Sequence, residues 1–269
     1  MISDFHIHTE FSLDAQENPE NMVREAIRKG MKRICFTDHQ EIPPTSTAPN
    51  WVRTLDEKAY LKAMQRLRDK YHKQIDIRIG MEIGLQQHQG EVFNTMVKEL
   101  PLDFVIGSIH MFHGKYPADG DCFSGKDDKA AYQEAFEITL NNIRSCNAYD
   151  VLGHMDYIVR YGKKKEASYS YEQFSDVLDE ILKYLISNGK GLEVNTSGWK
   201  YGLSFPHPHS DLLKRYRELG GEILTIGSDA HKFEHLGYDF HRVKEFLESC
   251  GFKYYTEFIG RQAFFNQLA

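Results

Sequence analysis

Residues 18–39 read NPENMVREAIRKGMKRICFTDH, and one complete structural unit can be parsed from them. Asn18-Pro19 is a helix opening: a side chain able to cap the first turn, then a residue whose missing N–H costs nothing there. Gly30 is a helix closing, because the left-handed turn that ends a helix suits a residue without Cβ. Arg33 to Thr37 then forms a short apolar run of strand character, and it ends abruptly on Thr37-Asp38-His39. A helix, a buried strand and a polar strand end follow one another within 22 residues.

The same grammar recurs on both sides. Strand-like runs are expected at Ile2 to Ile7, Arg33 to Thr37, Ile75 to Ile83, Phe104 to Ile109, Val151 to His154, Gly191 to Asn195 and Glu222 to Gly227. Helical patterns separate them, including a period of 3.6 from Tyr171 to Ser187 and a capping box of Thr54 with Glu57. Strands alternating with helices give a parallel sheet. At 269 residues without linker, repeat or low-complexity stretch, one α/β barrel domain over 1–269 is expected, smaller or more distorted than the eightfold form, with an extra piece around Lys253 to Ile259. Three long connections, Asp38 to Arg53, Met111 to Asp127 and Asp156 to Tyr169, all leave strand C-termini, the face where barrel enzymes keep their chemistry.

Composition narrows the function. A net charge of −6 argues against nucleic acid or anionic membrane as partner, since both require a basic surface. The four cysteines, Cys35, Cys122, Cys146 and Cys250, contain no C-x-x-C pair, which removes disulfide frameworks and thiolate zinc sites. With no long apolar run or leader, the expected location is cytoplasmic. Oligomeric state is not legible.

The informative excess is histidine, 13 in all, and its placement. His6-Ile7-His8 ends the first strand, and the period of two along a strand turns both imidazoles to one face. Asp14 follows in the loop. His39 ends the second strand, Glu82 the third, His110 the fourth and His154 the fifth, while Asp229 and His231 follow the seventh. In a parallel barrel all these ends meet at one rim, so residues more than 200 positions apart converge. Nitrogen and carboxylate donors without thiolate suit Zn, Mn or Fe, and nine candidates are too many for one ion. Histidines capping strands in a packed barrel mouth would be the bland alternative, but it leaves the accompanying carboxylates unexplained. Residues alone therefore reach a multimetal phosphoesterase.

His6-x-His8, Asp14, Thr37-Asp38-His39, Glu82, Gly107-Ser108-Ile109-His110, Gly153-His154 and Gly227-Ser228-Asp229-Ala230-His231 resemble the polymerase-and-histidinol-phosphatase (PHP) superfamily over nearly the whole chain. The stretches GHMDYIVRYG at 153–162 and NTSG at 195–198 are similar to its histidinol-phosphatase branch. This resemblance implies a distorted (β/α)7 barrel with a trinuclear centre: His6, His8, Glu82 and Asp229 on one ion, Glu82, His110 and His154 on a second, Asp14, His39 and His231 on a third. It also implies hydrolysis of L-histidinol phosphate, a small phosphate ester, by a hydroxide bridging two or three divalent ions (Zn, Fe or Mn). A broader phosphoesterase and a non-catalytic metal-binding accessory domain are the rival expectations.

Hydrolysis of a phosphate monoester needs charge neutralisation and a proton for the departing alkoxide. Asp229 or His231 is the expected proton source, with Glu82 the third residue at the chemistry. Arg160, in the loop after strand five, is the expected phosphate fork. Asn195 and Ser197 are further candidates for phosphate or substrate contact. His207-Pro208-His209 is read as the lead-in to a helix over Ser210 to Leu219, while His72, His88, His113, His235, His241 and the run Lys163 to Lys165 are read as solvated surface.

Overall fold

A computed structural model describes residues 3–42 and 54–268. Residues 43–53, most of the Asp38 to Arg53 connection, and Ile2 of the first expected strand lie outside the described residues. Parallel strands β1 (Asp4–Ile7), β2 (Arg33–Phe36), β4 (Asp76–Gly84), β5 (Phe104–Ser108), β6 (Val151–Leu152), β7 (Gly191–Asn195) and β8 (Leu224–Gly227) pair in that order. Two-residue β3 (His39–Gln40) prolongs the line of β2 along β4, with His39 opposite Glu82. The ring nearly closes. His8 N–H donates to the Ala230 carbonyl at 2.9 Å, and the Asp4 carboxylate accepts from the Ser228 main-chain N–H and hydroxyl. This is the distorted (β/α)7 barrel expected from the sequence.

Helices α1 (Pro19–Arg28), α2 (Glu57–Tyr71), α3 (Gly90–Glu99), α4 (Asp128–Ser145), α5 (Ser175–Ser187), the single turn α6 (Ser197–Lys200), α7 (Ser210–Glu218) and α8 (Phe240–Ser249) surround the strands. The Asn18 side chain accepts from Glu20 N–H at 2.9 Å, and Gly30 takes φ 72°, so the punctuation of the first unit is physical. The capping box at Thr54 is not formed. Asp56 caps α2 instead, accepting from Ala59 N–H at 3.0 Å: a carboxylate one turn ahead of Ala59 reaches the third amide that Thr54 cannot. The Tyr171 to Ser187 pattern opens with a 3-10 turn over 171–174 before α5 begins. The extra piece is an antiparallel hairpin, β9 (Tyr254–Ile259) with β10 (Gln262–Gln267), closing the opposite end of the barrel through Arg33 to Glu257 and Arg261 to Asp150.

Strands β5 and β7 are buried along their whole length; β5 runs apolar up to Ser108, whereas β7 alternates Leu192 and Val194 with the polar Glu193 and Asn195. One continuous apolar cluster joins strands to helices, from Ile7 and Phe36 to Leu182 and Val243. That rigid shell fixes where each strand ends, and therefore where each polar strand-end residue stands. No helix among the described residues is long and apolar enough to cross a membrane.

Candidate metal centre

All nine expected ligands meet at the C-terminal rim. Glu82 is the centre of the arrangement, fully buried on β4, with each carboxylate oxygen facing a different set of imidazoles. Oε2 lies 3.2 Å from His6 Nε2, 3.4 Å from His8 Nε2 and 2.8 Å from His39 Nδ1. Oε1 lies 2.9 Å from His154 Nε2 and 3.2 Å from His110 Nε2. Asp229 Oδ1 stands 3.4 Å from His8 Nε2 and 3.8 Å from His6 Nε2. At the outer edge Asp14 reaches His39 Nε2 at 3.5 Å and His231 Nε2 at 3.1 Å.

Do these residues fit metal ions? His6 Nε2, His8 Nε2, His39 Nδ1 and Glu82 Oε2 are buried and make no hydrogen bond. Each orphaned buried polar atom costs about 1–3 kcal/mol, so four at one spot are unstable unless something binds them together. Donors bound at about 2.0–2.1 Å to one tetrahedral ion stand about 3.4 Å apart, close to the spacings seen here. Groups of three donors able to hold an ion include His6, His8 and Asp229, His6, Glu82 and His154, and His8, His39 and His231. Of the expected partition, the grouping of His6, His8 and Asp229 recurs here, while the other two combine His154 with His6 and Glu82, and His8 with His39 and His231.

Electrostatics point the same way. Burial pushes the Glu82 carboxyl up, but His6, His110 and His39 outweigh it and hold it well below the usual carboxylate range. Burial, followed by neighbouring His39 and His231, pushes His8 well below the usual imidazole range, which leaves a neutral ring with a free lone pair. Two of the ligand residues, His154 and Asp229, sit at positive φ, 21° and 55°. Side-chain-bearing residues seldom adopt this backbone, and the strain is stored where the side chains must converge.

A cavity of about 350 Å³ opens over the cluster, lined by Asp14, His39, His110, His154, Asp229 and His231, by Leu13, Ala118 and Asp119, and by Arg160, Glu41, Tyr116, Tyr157 and Tyr161. Arg160 is held flat among the rings of Tyr157, Tyr161 and Tyr201, 4.3, 4.8 and 4.2 Å from their centroids. Its guanidinium is thereby preorganised at the cavity wall. Asn195 and Ser197 do not fit the expected substrate contact. Both are fully buried and absent from the lining: Asn195 donates to Glu193 at 3.1 Å, and the Ser197 hydroxyl faces Asp229 at 3.3 Å.

Sequence reasoning passed over the partners that aim these ligands. Glu41, one strand period after His39, lies 2.6 Å from His110 Nδ1, and its carboxylate occupies the space a Cβ on Gly84 would fill. Glu193 lies 2.5 Å from His6 Nδ1, and Ser12 Oγ 3.1 Å from His8 Nδ1. For Glu193 a signal existed, an acid between the apolar Leu192 and Val194, the kind of signal that exposed Glu82. His207 is fully buried against Asp156 at 2.5 Å, so only His209, whose ring accepts from Asp211 N–H, is a helix lead-in.

Comparison with known proteins is consistent with this site. The family model described as PHP domain matches residues 4–197. A histidinol-phosphatase of Lactococcus lactis is 31% identical over 263 residues, covering 96% of this chain and 94% of that protein. A probable histidinol-phosphatase of Clostridium acetobutylicum is 29% identical over 259 residues, covering 94% and 95%. The crystal structure of histidinol phosphate phosphatase from Lactococcus lactis, complexed with zinc, L-histidinol and phosphate, superposes with a TM-score of 0.88 at 30% identity over 98% of both chains. A putative histidinol phosphatase from Listeria monocytogenes shares the fold, with a TM-score of 0.70 at 19% identity over 89% of this chain and 98% of that one. A rim of imidazoles and carboxylates on a seven-stranded parallel barrel, a family match over most of the chain and a near-complete superposition together establish that the chain belongs to the PHP domain family.

Proposed function

We propose that this chain hydrolyses L-histidinol phosphate to L-histidinol and inorganic phosphate, as a single cytoplasmic domain using two or three divalent ions of Zn, Fe or Mn. One observation carries the reading: Glu82 presents its two oxygens to separate imidazole sets beneath a cavity that also displays Arg160. His6, His8, Glu82 and Asp229 would hold one ion, Glu82, His110 and His154 a second, and Asp14, His39 and His231 a third. Such ions supply a hydroxide at neutral pH and positive charge against the phosphoryl oxygens.

The chain's own residues do the rest. Arg160 orients the phosphoryl group by paired N–H donors from a plane the tyrosines fix. Asp229 lines the cavity 3.4 Å from His8 Nε2 and carries the proton shed by the attacking water. It then returns that proton to the departing alkoxide, with His231 beside it at 3.4 Å. Tyr116, Tyr157 and Tyr161 line the remaining wall and exclude water from the organic half.

The test is phosphate release, comparing kcat/KM for L-histidinol phosphate with that for a generic aryl phosphate. A larger value for the aryl ester would assign a broader phosphoesterase, and metal-loaded protein without turnover on either would make this an accessory domain. Replacing Arg160 with Ala is expected to lower kcat/KM by about 10²-fold, the equivalent of about 2.7 kcal/mol, as for losing a charge-assisted pair of hydrogen bonds. An unchanged kcat/KM returns Arg160 to a packing role.

Metal uptake is also expected to release protons. Burial pulls the His110 imidazole down, but Glu82 and Glu41 outweigh it and raise it to about 9, so the cation-free protein carries that proton at pH 7. A cation must displace it, and apparent affinity therefore climbs from pH 7 toward 9 and flattens above. Calorimetric titration with zinc in two buffers of different ionisation heat reads this directly; identical heats in both would contradict it.

A further inference from the structure

We propose that Glu193 is a positioning residue that aims two ligand histidines at once, and that Gly227 leaves the space it occupies. The proposal rests on the metal reading above. Glu193 sits in the middle of β7 at 1% exposure, between buried Leu192 and Val194, where an unpaired carboxylate is costly. Among the described residues no lysine or arginine pairs with it. Its charge is met instead by the underside of the cluster.

Each oxygen has its own task. Oε1 lies 2.5 Å from His6 Nδ1; a carboxylate only accepts, so Nδ1 carries the hydrogen and the lone pair is left on Nε2, 3.2 Å from Glu82. Oε2 accepts the main-chain N–H of His154 at 2.9 Å, with the Asn195 amide steadying it at 3.1 Å. That bond holds His154 in its uncommon backbone, from which Nε2 reaches the other Glu82 oxygen at 2.9 Å. One buried carboxylate thus ties the strand-one ligand to the ligand after β6, across 39 residues on one side and 187 on the other.

The motif glycine Gly227 acquires a reason. A Cβ on Gly227 would stand 2.5 Å from Glu193 Oε1 and 2.3 Å from His6 Cβ, whereas one on Gly153 would crowd Ser108 Oγ at 2.5 Å and leave Glu193 Oε2 at an ordinary contact of 3.4 Å. Neither glycine is among those with positive φ. What Gly227 contributes is room, without which the carboxylate could not lie against His6.

The test is Glu193→Gln in the full chain. Glutamine keeps the shape but has one accepting oxygen and one donating amide, so it cannot accept from both His6 and His154. Zinc is titrated against a competing chelator, the cobalt-substituted protein is followed by its visible spectrum, and melting is recorded for the cation-free protein. Support is a roughly 10- to 100-fold weaker affinity for at least one ion, with an altered cobalt spectrum and wild-type melting of the cation-free form. Wild-type affinity and spectrum in the variant overturn the proposal, whatever happens to melting. Gly227→Ala crowds Oε1 while keeping the charge and is expected to weaken binding in the same direction; unchanged affinity there overturns it equally. If the wild-type protein itself takes up no metal in this assay, the metal reading fails first and the proposal with it.

Discussion

Glu82→Ala is expected to abolish turnover and strip metal together, with kcat/KM falling by at least about 10³-fold, or about 4 kcal/mol of transition-state stabilisation. The reason is the double use of one side chain. Oε2 faces His6, His8 and His39, and Oε1 faces His110 and His154, so five imidazoles lose the same anion at once. Among the described residues His154 Nε2 bonds to Glu82 alone, so nothing replaces that anion there. Glu82→Gln keeps the volume and one accepting oxygen, and is expected to lose less metal than the alanine variant. Elemental analysis of both purified variants beside a phosphate-release assay decides the matter: an alanine variant with the full metal complement would remove Glu82 from the centre of the site.

Why was this much readable from sequence and the rest not? A parallel barrel sends every strand C-terminus to one rim, so the position of His6, Glu82, His110 or His154 along the chain already states its position in space. Asp14 and His231 lie in loops yet follow closely on such ends. The partners that aim the ligands carry no such address. Glu193 lies within a strand, two residues before the end where ligands were sought, and Glu41 stands two beyond His39 in a connection whose later part resembles any polar loop. His207 shows the opposite error: the proline after it argued against a strand, while the structure bonds its main chain to Asn195 on β7 and buries its ring on Asp156. Asn195 and Ser197 were placed at the correct strand end, but both are buried beneath the ligands, Asn195 against Glu193 and Ser197 against Asp229, a depth that residue type alone does not disclose.

Asp38→Ala is expected to destabilise the cation-free protein by about 2–4 kcal/mol, since removal of this acceptor strands the buried Thr9 N–H at about 1–3 kcal/mol along with two hydroxyls, while Ser12 N–H keeps the Thr9 carbonyl at 2.8 Å. Asp38 is fully buried, and its Oδ1 accepts from Thr9 N–H at 2.7 Å, Ser12 N–H at 3.1 Å and the Ser12 hydroxyl at 2.7 Å, while the Thr9 hydroxyl reaches it at 3.0 Å. The Ser12 hydroxyl has one hydrogen, and giving it to Asp38 leaves the oxygen to accept from His39 N–H at 3.0 Å and to face His8 Nδ1 at 3.1 Å. Asp38 therefore acts on the rim without touching the cavity: it fixes Ser12, and Ser12 fixes two imidazoles. At about 2–4 °C per kcal/mol for a chain of this size, melting should fall by roughly 10 °C. Asp38→Asn, which keeps one acceptor for Thr9 and Ser12, should fall by less. An alanine variant melting with the wild type in the absence of cations would show that the 9–12 turn holds itself, and that the aspartate of the Thr37-Asp38-His39 motif has some other duty.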